Sequence, residues 1–202
     1  MLIHDPLQML QIALMIIPLF VLHELAHAKV ALMLGDTTAK DEGRITLNPL
    51  KHIDWIGFAL ILLVGFGWAK PVMINPANLK NMKRDMAIIS IAGPLTNFVL
   101  AFILLFVAVV VLNGQINFLF LMAFLSVMLG VFNMLPIPPL DGSKVLASIL
   151  PDDLYYAYRR FEGYGMFLFL ILAITGLLGR IILPMIQSVY GWMLSIMIGI
   201  IS

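Results

Sequence analysis

Residues 86–112, "MAIISIAGPLTNFVLAFILLFVAVVVL", run for 27 positions without a charged side chain. A helix crosses the hydrocarbon of a bilayer with roughly 20 largely apolar residues, so this stretch is long enough to span. Segments at about 7–34, 117–135 and 181–201 meet the same test, while a fifth at about 163–179 is shorter and carries Gly163, Gly165 and Gly176. Only 11% of the 202 residues are charged, 62% are hydrophobic, and the mean hydropathy is +1.04. Soluble domains are about 25% charged, so the deficit points to an all-α polytopic membrane protein with about five transmembrane helices. A net charge of +1 gives no basis for a nucleic-acid partner, and the lack of cysteine excludes disulfides and thiolate ligands. The opening MLIHDPLQML has neither a cationic n-region nor a small-residue cleavage site, so the first apolar segment is expected to be retained. With no long polar stretch, residues 1–202 are expected to form one membrane-embedded domain, with a core at about 7–150 and C-terminal helices at about 154–202.

Trp55–Ile74, "WIGFALILLVGFGWAKPVMI", departs from this pattern. Its apolar run, Ile56–Val64, is too short to span as a helix, and GFGWAKP breaks it. Val64, Val72, Ile74 and the aromatics suit extended structure better than a second helix. A sheet edge cannot face lipid with its backbone unpaired, so a strand here must lie against protein or line a wet cavity. The expectation is a membrane-associated β-hairpin or a re-entrant segment over about 55–74. Lys80, Lys83 and Arg84 stand just before the 86–112 helix, whose far end, NGQIN, is uncharged. The positive-inside rule then puts 80–84 and the charged 36–54 loop in the cytoplasm and the N-terminus outside. Arg180 fits this scheme less well and leaves the orientation of the last two helices open.

The first apolar segment contains "LFVLHELAHAKVAL", residues 19–32, in which two imidazoles and a carboxylate interrupt a lipid-compatible helix. Polar groups at that depth cost a few kcal/mol and therefore face a cavity or a partner. On an α-helix, positions i and i+4 lie about 6 Å apart along the axis and about 40° around it. His23 and His27 can therefore share one divalent ion, and Glu24, about 100° from His23, can reach a metal-held water without binding the metal. The same residues also suit a polar cluster between helices or a proton relay.

A catalytic zinc needs a third protein ligand and one open position. His4 lies about five turns before His23, toward the other membrane face, and is set aside. His52 and Asp54 lie in a polar loop where solvated side chains are expected. Asp141 is the better candidate, in "FNMLPIPPLDGSKVL" at 132–146, where Pro136, Pro138 and Pro139 preset an extended backbone and Gly142 permits a tight turn. A plain Asp-Gly turn or a helix N-cap would fit the spacing equally well. Asn97 and Asn133 can bond neighbouring helices, worth around 1 kcal/mol, or donate to an oxyanion near a metal. Gly93 and Pro94, at the start of the 86–112 helix, would let another backbone pass close by. Trp68 and Lys70 suit a cleft rim, or simply an interfacial ring and a snorkelling amine.

HELAH on a membrane helix, AGPLTN at 92–97 and NMLPIPPLDG at 133–142 together resemble the site-2 protease family of intramembrane zinc metalloproteases. GRITLNPLKHID at 43–54 and GWAKPV at 67–72 resemble its short prokaryotic members. The resemblance implies one Zn2+ ion held by His23, His27 and Asp141, with Glu24 as general base. The family's GxxxN motif falls on Gly93–Asn97 and the asparagine of its NxxPxPxxDG motif on Asn133, both on the active-site side of the core helices. It further implies a hairpin beside the cleft at 55–74, a prokaryotic cell membrane with the site toward the cytoplasm, and transmembrane proteins or peptides as substrates. Unlike many relatives, residues 1–202 are expected to hold no PDZ or CBS domain. The expected reaction is peptide-bond hydrolysis in or near transmembrane segments. The residues alone also allow a proton-coupled or metal-ion transporter, against which stand the one-sided clustering of ionisable groups and the lack of an inverted repeat.

Overall fold

In the computed structural model, which describes residues 6–64 and 67–201, every regular element is helical and no strand occurs among those residues. Two compact units divide the chain, Met1–Lys80 and Asn81–Ser202.

In the first unit, α1 (Pro6–Met33) has 28 residues and is about 42 Å long. It ends in a Schellman turn: Asp36 N–H donates to the Ala31 carbonyl at 2.9 Å, and Gly35 N–H donates to Leu32 at 3.1 Å. Gly35 has φ +105°, a backbone that only a residue without Cβ adopts easily. The buried Asp36 carboxylate then accepts from the Thr38 N–H and hydroxyl, the Asn75 N–H and the Asn78 amide at 3.1, 2.6, 2.8 and 2.8 Å. These bonds tie the 3-10 turn Pro76–Asn78 to the end of α1. Between them come the short α2 (Thr38–Asp41) and a second 3-10 turn, Pro49–Lys51.

α3 (Trp55–Val64) occupies the stretch expected to be extended. The Asp54 carboxylate caps it, accepting from Ile56 N–H at 3.0 Å and Gly57 N–H at 2.9 Å. A nine-residue apolar run has no periodicity with which to separate helix from strand, and the cap decides. Residues 67–75 follow without helix or strand pairing. The described part of 55–74 thus holds a short helix and an irregular segment in place of a β-hairpin; residues 65 and 66, where the chain would reverse, lie outside the description.

In the second unit, α4 (Met82–Phe106) starts four residues earlier than its hydropathy suggests. The reason is a reciprocal cap: the Asn81 side chain accepts from Arg84 N–H at 3.2 Å, while the Asp85 carboxylate accepts from Asn81 N–H at 2.9 Å. Gly93 and Pro94 are consequently buried in mid-helix rather than at its start. α4 continues into a π-turn, Val107–Val111. α5 (Asn117–Asn133), α6 (Asp141–Ile149), α7 (Asp152–Ile174) and α8 (Leu177–Ile201) complete the unit. Ala101, Leu105, Val127, Ile186 and Met197 form its core. A Cβ on Gly130 of α5 would lie 2.8 Å from the Phe98 ring of α4, so these two helices approach closely there. Lys83, one of the cations that set the expected topology, donates to the Leu150 carbonyl at 2.8 Å and the Asp152 carboxylate at 2.9 Å.

Among the described residues, three helices are long and apolar enough to cross a membrane: Leu7–Met33, Met82–Val111 and Leu177–Ile201. The apolar helix Asn117–Asn133 and the apolar part of α7, Glu162–Ile174, are shorter. Five full spans are therefore not what length and composition give. The fifth expected segment, about 163–179, straddles the break between α7 and α8 at Thr175 and Gly176, which leaves only Glu162–Ile174 as the apolar part of α7.

Candidate functional site

His23 and His27 sit one turn apart on α1, 3% and 6% exposed. Their Nε2 atoms approach to 3.0 Å with the rings steeply inclined, at 79°. Such a contact needs a proton on one nitrogen and a lone pair on the other. A tetrahedral ion bound by two imidazoles at about 2.0–2.1 Å would hold the donors about 3.3 Å apart, so the pair needs only roughly 0.3 Å of adjustment to accept one. The i, i+4 spacing thus delivers the convergence it promised.

Glu24, half-buried on the shoulder of the same helix face, accepts from the backbone N–H of Val72 at 2.8 Å. Val72 itself packs on Ala28 and Ala39, with Ile45 alongside. The segment around it is fixed from both sides. Lys70 N–H donates to the His52 carbonyl at 2.8 Å, and Arg44 donates to the Lys70 and Pro71 carbonyls at 2.6 and 3.1 Å. Arg44 falls in the GRITLNPLKHID stretch, but the sequence assigns it no role, because its partners stand 26 and 27 positions away and are backbone atoms.

His52 is buried, not solvated, at 1% exposure. Its Nε2–H donates to the Thr46 carbonyl at 2.9 Å, so the ring holds its own loop together. Asp54 is the cap of α3 already described, and His4 lies outside the described residues. Trp68 is partly exposed and lines an apolar concavity with Ile16, Phe20 and Phe58; the Lys70 side chain is exposed.

In the second unit, Asp141 is the first residue of α6, with Leu140 rather than Asp141 at the N-cap. It is 9% exposed, and the Lys144 ammonium stands 3.9 Å from its carboxylate. The helix N-terminus favours a negative charge at this position. Gly142 has a different task from the expected tight turn. A Cβ there would lie 2.2 Å from the Met134 carbonyl oxygen and 2.6 Å from that of Leu135, so the glycine lets the first turn of α6 press against the end of α5. Gly165 of α7 does the same against Pro138, where a Cβ would meet the proline ring at 2.4 Å. The Pro-rich loop bearing Asp141 is thus held by close packing at two glycines. Asn133 donates its amide to the Leu129 carbonyl of its own helix at 2.9 Å, rather than to a neighbouring helix. Asn97 is buried, and its backbone carbonyl accepts from the Ser126 hydroxyl of α5 at 2.8 Å.

Residues 110–175 match Peptidase family M50. The chain is 39% identical over 180 residues to a Bacillus subtilis protein named "Putative zinc metalloprotease YwhC", covering 84% of this chain and 82% of that one. It is 33% identical over 171 residues to "Putative zinc metalloprotease Rip2" of Mycolicibacterium smegmatis, with 79% of this chain and 64% of the relative covered. For "Putative zinc metalloprotease MJ0611" of Methanocaldococcus jannaschii the identity is 34% over 129 residues, covering 63% and 64% of the two chains. No solved structure matches. Identity at this level over most of both chains, joined to the family match, settles descent: the chain belongs to peptidase family M50, the site-2 proteases.

Proposed function

We propose that this protein is an intramembrane zinc metalloprotease that hydrolyses peptide bonds in or near transmembrane segments of membrane proteins. The observation that carries the reading is the His23–His27 pair, whose Nε2 atoms lie 3.0 Å apart beside a carboxylate anchored at 2.8 Å by Val72 N–H. His23, His27 and Asp141 are the proposed ligands of one zinc ion. Two imidazoles and a carboxylate suit that metal and leave a fourth position for water or substrate. When bound, zinc supplies a Lewis acid that polarises the scissile carbonyl and makes water a stronger acid.

The rest falls to the chain. Glu24 takes the proton of the attacking water and passes it to the leaving nitrogen. Asn97 and Asn133 are the proposed donors to the carbonyl oxygen as it gains charge; the Asn133 amide spends one N–H on the Leu129 carbonyl and has a second to give. Water must reach a site below the lipid headgroups. His23 lies ten residues before the end of α1 at Met33, about 15 Å, so the path from that side need not cross the bilayer. The cations at 80–84 favour the cytoplasm for that side, and the resemblance of GRITLNPLKHID and GWAKPV to short prokaryotic members supports a prokaryotic cell membrane as the setting.

A helical substrate hides its peptide bonds and must unwind to be cut. The irregular segment at 67–75, rather than a hairpin, is the element it would lie along. At its centre the N–H groups of Lys70 and Val72 are already committed, Pro71 has none, and the Lys70 and Pro71 carbonyls accept from Arg44, so pairing must use the flanks of the segment.

The test is Glu24→Gln, read by zinc content and by cleavage of a reporter transmembrane segment. We expect full zinc and turnover reduced about 10²–10⁴-fold. Wild-type turnover in this variant would refute the assignment of the base. Asp141→Ala should lose zinc instead, and undiminished zinc affinity would remove it from the ligand set.

A further inference from the structure

Arg44 is 3% exposed, and its guanidinium makes no ion pair among the described residues. Burying an unpaired cation is costly, so a fold that retains one must gain something from its hydrogen bonds. Its hydrogen bonds go to backbone: the same terminal nitrogen donates to the Lys70 carbonyl at 2.6 Å and to the Pro71 carbonyl at 3.1 Å. The second of these carbonyls belongs to the Pro71–Val72 peptide, whose N–H donates to Glu24 at 2.8 Å. In a planar trans peptide the C=O and the N–H point in opposite directions. Gripping the oxygen from one side therefore aims the hydrogen at whatever lies on the other, which here is the Glu24 carboxylate. Hydrogen bonds in such a chain also polarise one another, so a cation at the carbonyl makes the N–H a stronger donor. Pro71 stiffens the relay further, because its ring fixes φ.

We infer that Arg44 is a positioning residue for Glu24, acting through the Pro71–Val72 peptide. It holds one carboxylate oxygen still so that the group meets the attacking water in one orientation. This rests on the proposed role of Glu24 as general base.

The experiment uses the full chain in detergent micelles. Zinc content, kcat and KM on a reporter transmembrane segment are measured for wild type, Arg44→Gln and Arg44→Lys. In metal-free protein labelled with 15N-valine, amide exchange at Val72 is followed for the same set and for Glu24→Ala. A charge-assisted hydrogen bond lost or misaligned should lower kcat about 10- to 100-fold in Arg44→Gln, with KM within about twofold and zinc retained. Val72 exchange should quicken about tenfold or more in both Arg44→Gln and Glu24→Ala. Arg44→Lys keeps the cation without the planar fork and should fall between, and it carries the test if Arg44→Gln does not fold. Unchanged kcat in Arg44→Gln, a loss confined to KM or to zinc, or unaltered Val72 exchange would overturn the inference. Normal turnover in Glu24→Gln would instead refute the general base, while the exchange data still report whether Arg44 aims the peptide.

Discussion

A buried carboxylate is tolerated at position 36 because four donors meet it, at 2.6 to 3.1 Å, just beyond the last turn of α1. Burial pushes this carboxyl up, but bonds from Thr38, Asn78 and Asn75 more than reverse that and hold it below its ordinary value. The sign of the linkage follows. A folded value below the unfolded one, about 3.9, means the stabilisation is complete above that pH and is lost as the pH falls through the folded value. Docking of 75–78 should therefore be indifferent to pH between about 5 and 8 and loosen only below about 4. Asp36→Ala should lose about 2–3 kcal/mol of local protection at pH 7, read as faster amide exchange at Asn75 and Thr38, and should show no acid step. Equal protection in the variant would mean that the carboxylate does not hold this loop. Side chains at this scale were legible only where their partners are near in sequence. HELAH declared itself because its two imidazoles are one turn apart, whereas Asp36 and Arg44 reach partners 26 to 42 positions away. Nothing in their local sequence marks them as buried.

Among the elements, the long helices could be read from hydropathy, since a run such as 86–112 has no alternative to a helix in lipid. The short ones could not. α3 escaped because a nine-residue apolar run suits either state until Asp54 caps it, and the ends of α4 depend on the Asn81–Asp85 cap and a π-turn that hydropathy does not register. Glycines were visible as letters but not as tasks. In α7, Gly163 would place a Cβ in open space, whereas one on Gly165 would stand 2.4 Å from the Pro138 side chain and 2.6 Å from its carbonyl oxygen. Two alanine substitutions two residues apart should thus differ. Gly163→Ala should be neutral or stabilising by up to about 1 kcal/mol, through helix propensity alone. Gly165→Ala should cost about 1–3 kcal/mol, because the helix must move off the Pro-rich loop. Denaturation in mixed micelles compares them directly, and equal effects would show that α7 does not rest on Pro138.

For the molecule as a whole, the pattern of exposure is that of a protein built for hydrocarbon: Leu7, Val111, Phe167, Ile174 and Trp192 are among many large apolar side chains more than half exposed. Such a surface leaves little of the usual burial to hold the chain together, so an ion that binds the folded form adds a large share of stability. If His23, His27 and Asp141 hold zinc, stability rises by RT ln(1 + [Zn]/Kd), about 2.7 kcal/mol at a hundred times Kd. For a chain of this size, that shifts the unfolding midpoint by roughly 5–10 °C. Chelation should lower the midpoint by this amount, zinc should restore it, and magnesium, which prefers six oxygen ligands, should not. His23→Ala and Asp141→Ala should each start near the chelated value and gain little from zinc. A midpoint that ignores chelation, or that rises with zinc as much in Asp141→Ala as in wild type, would contradict the three-ligand centre. The shift reads binding without turnover, so it needs no substrate.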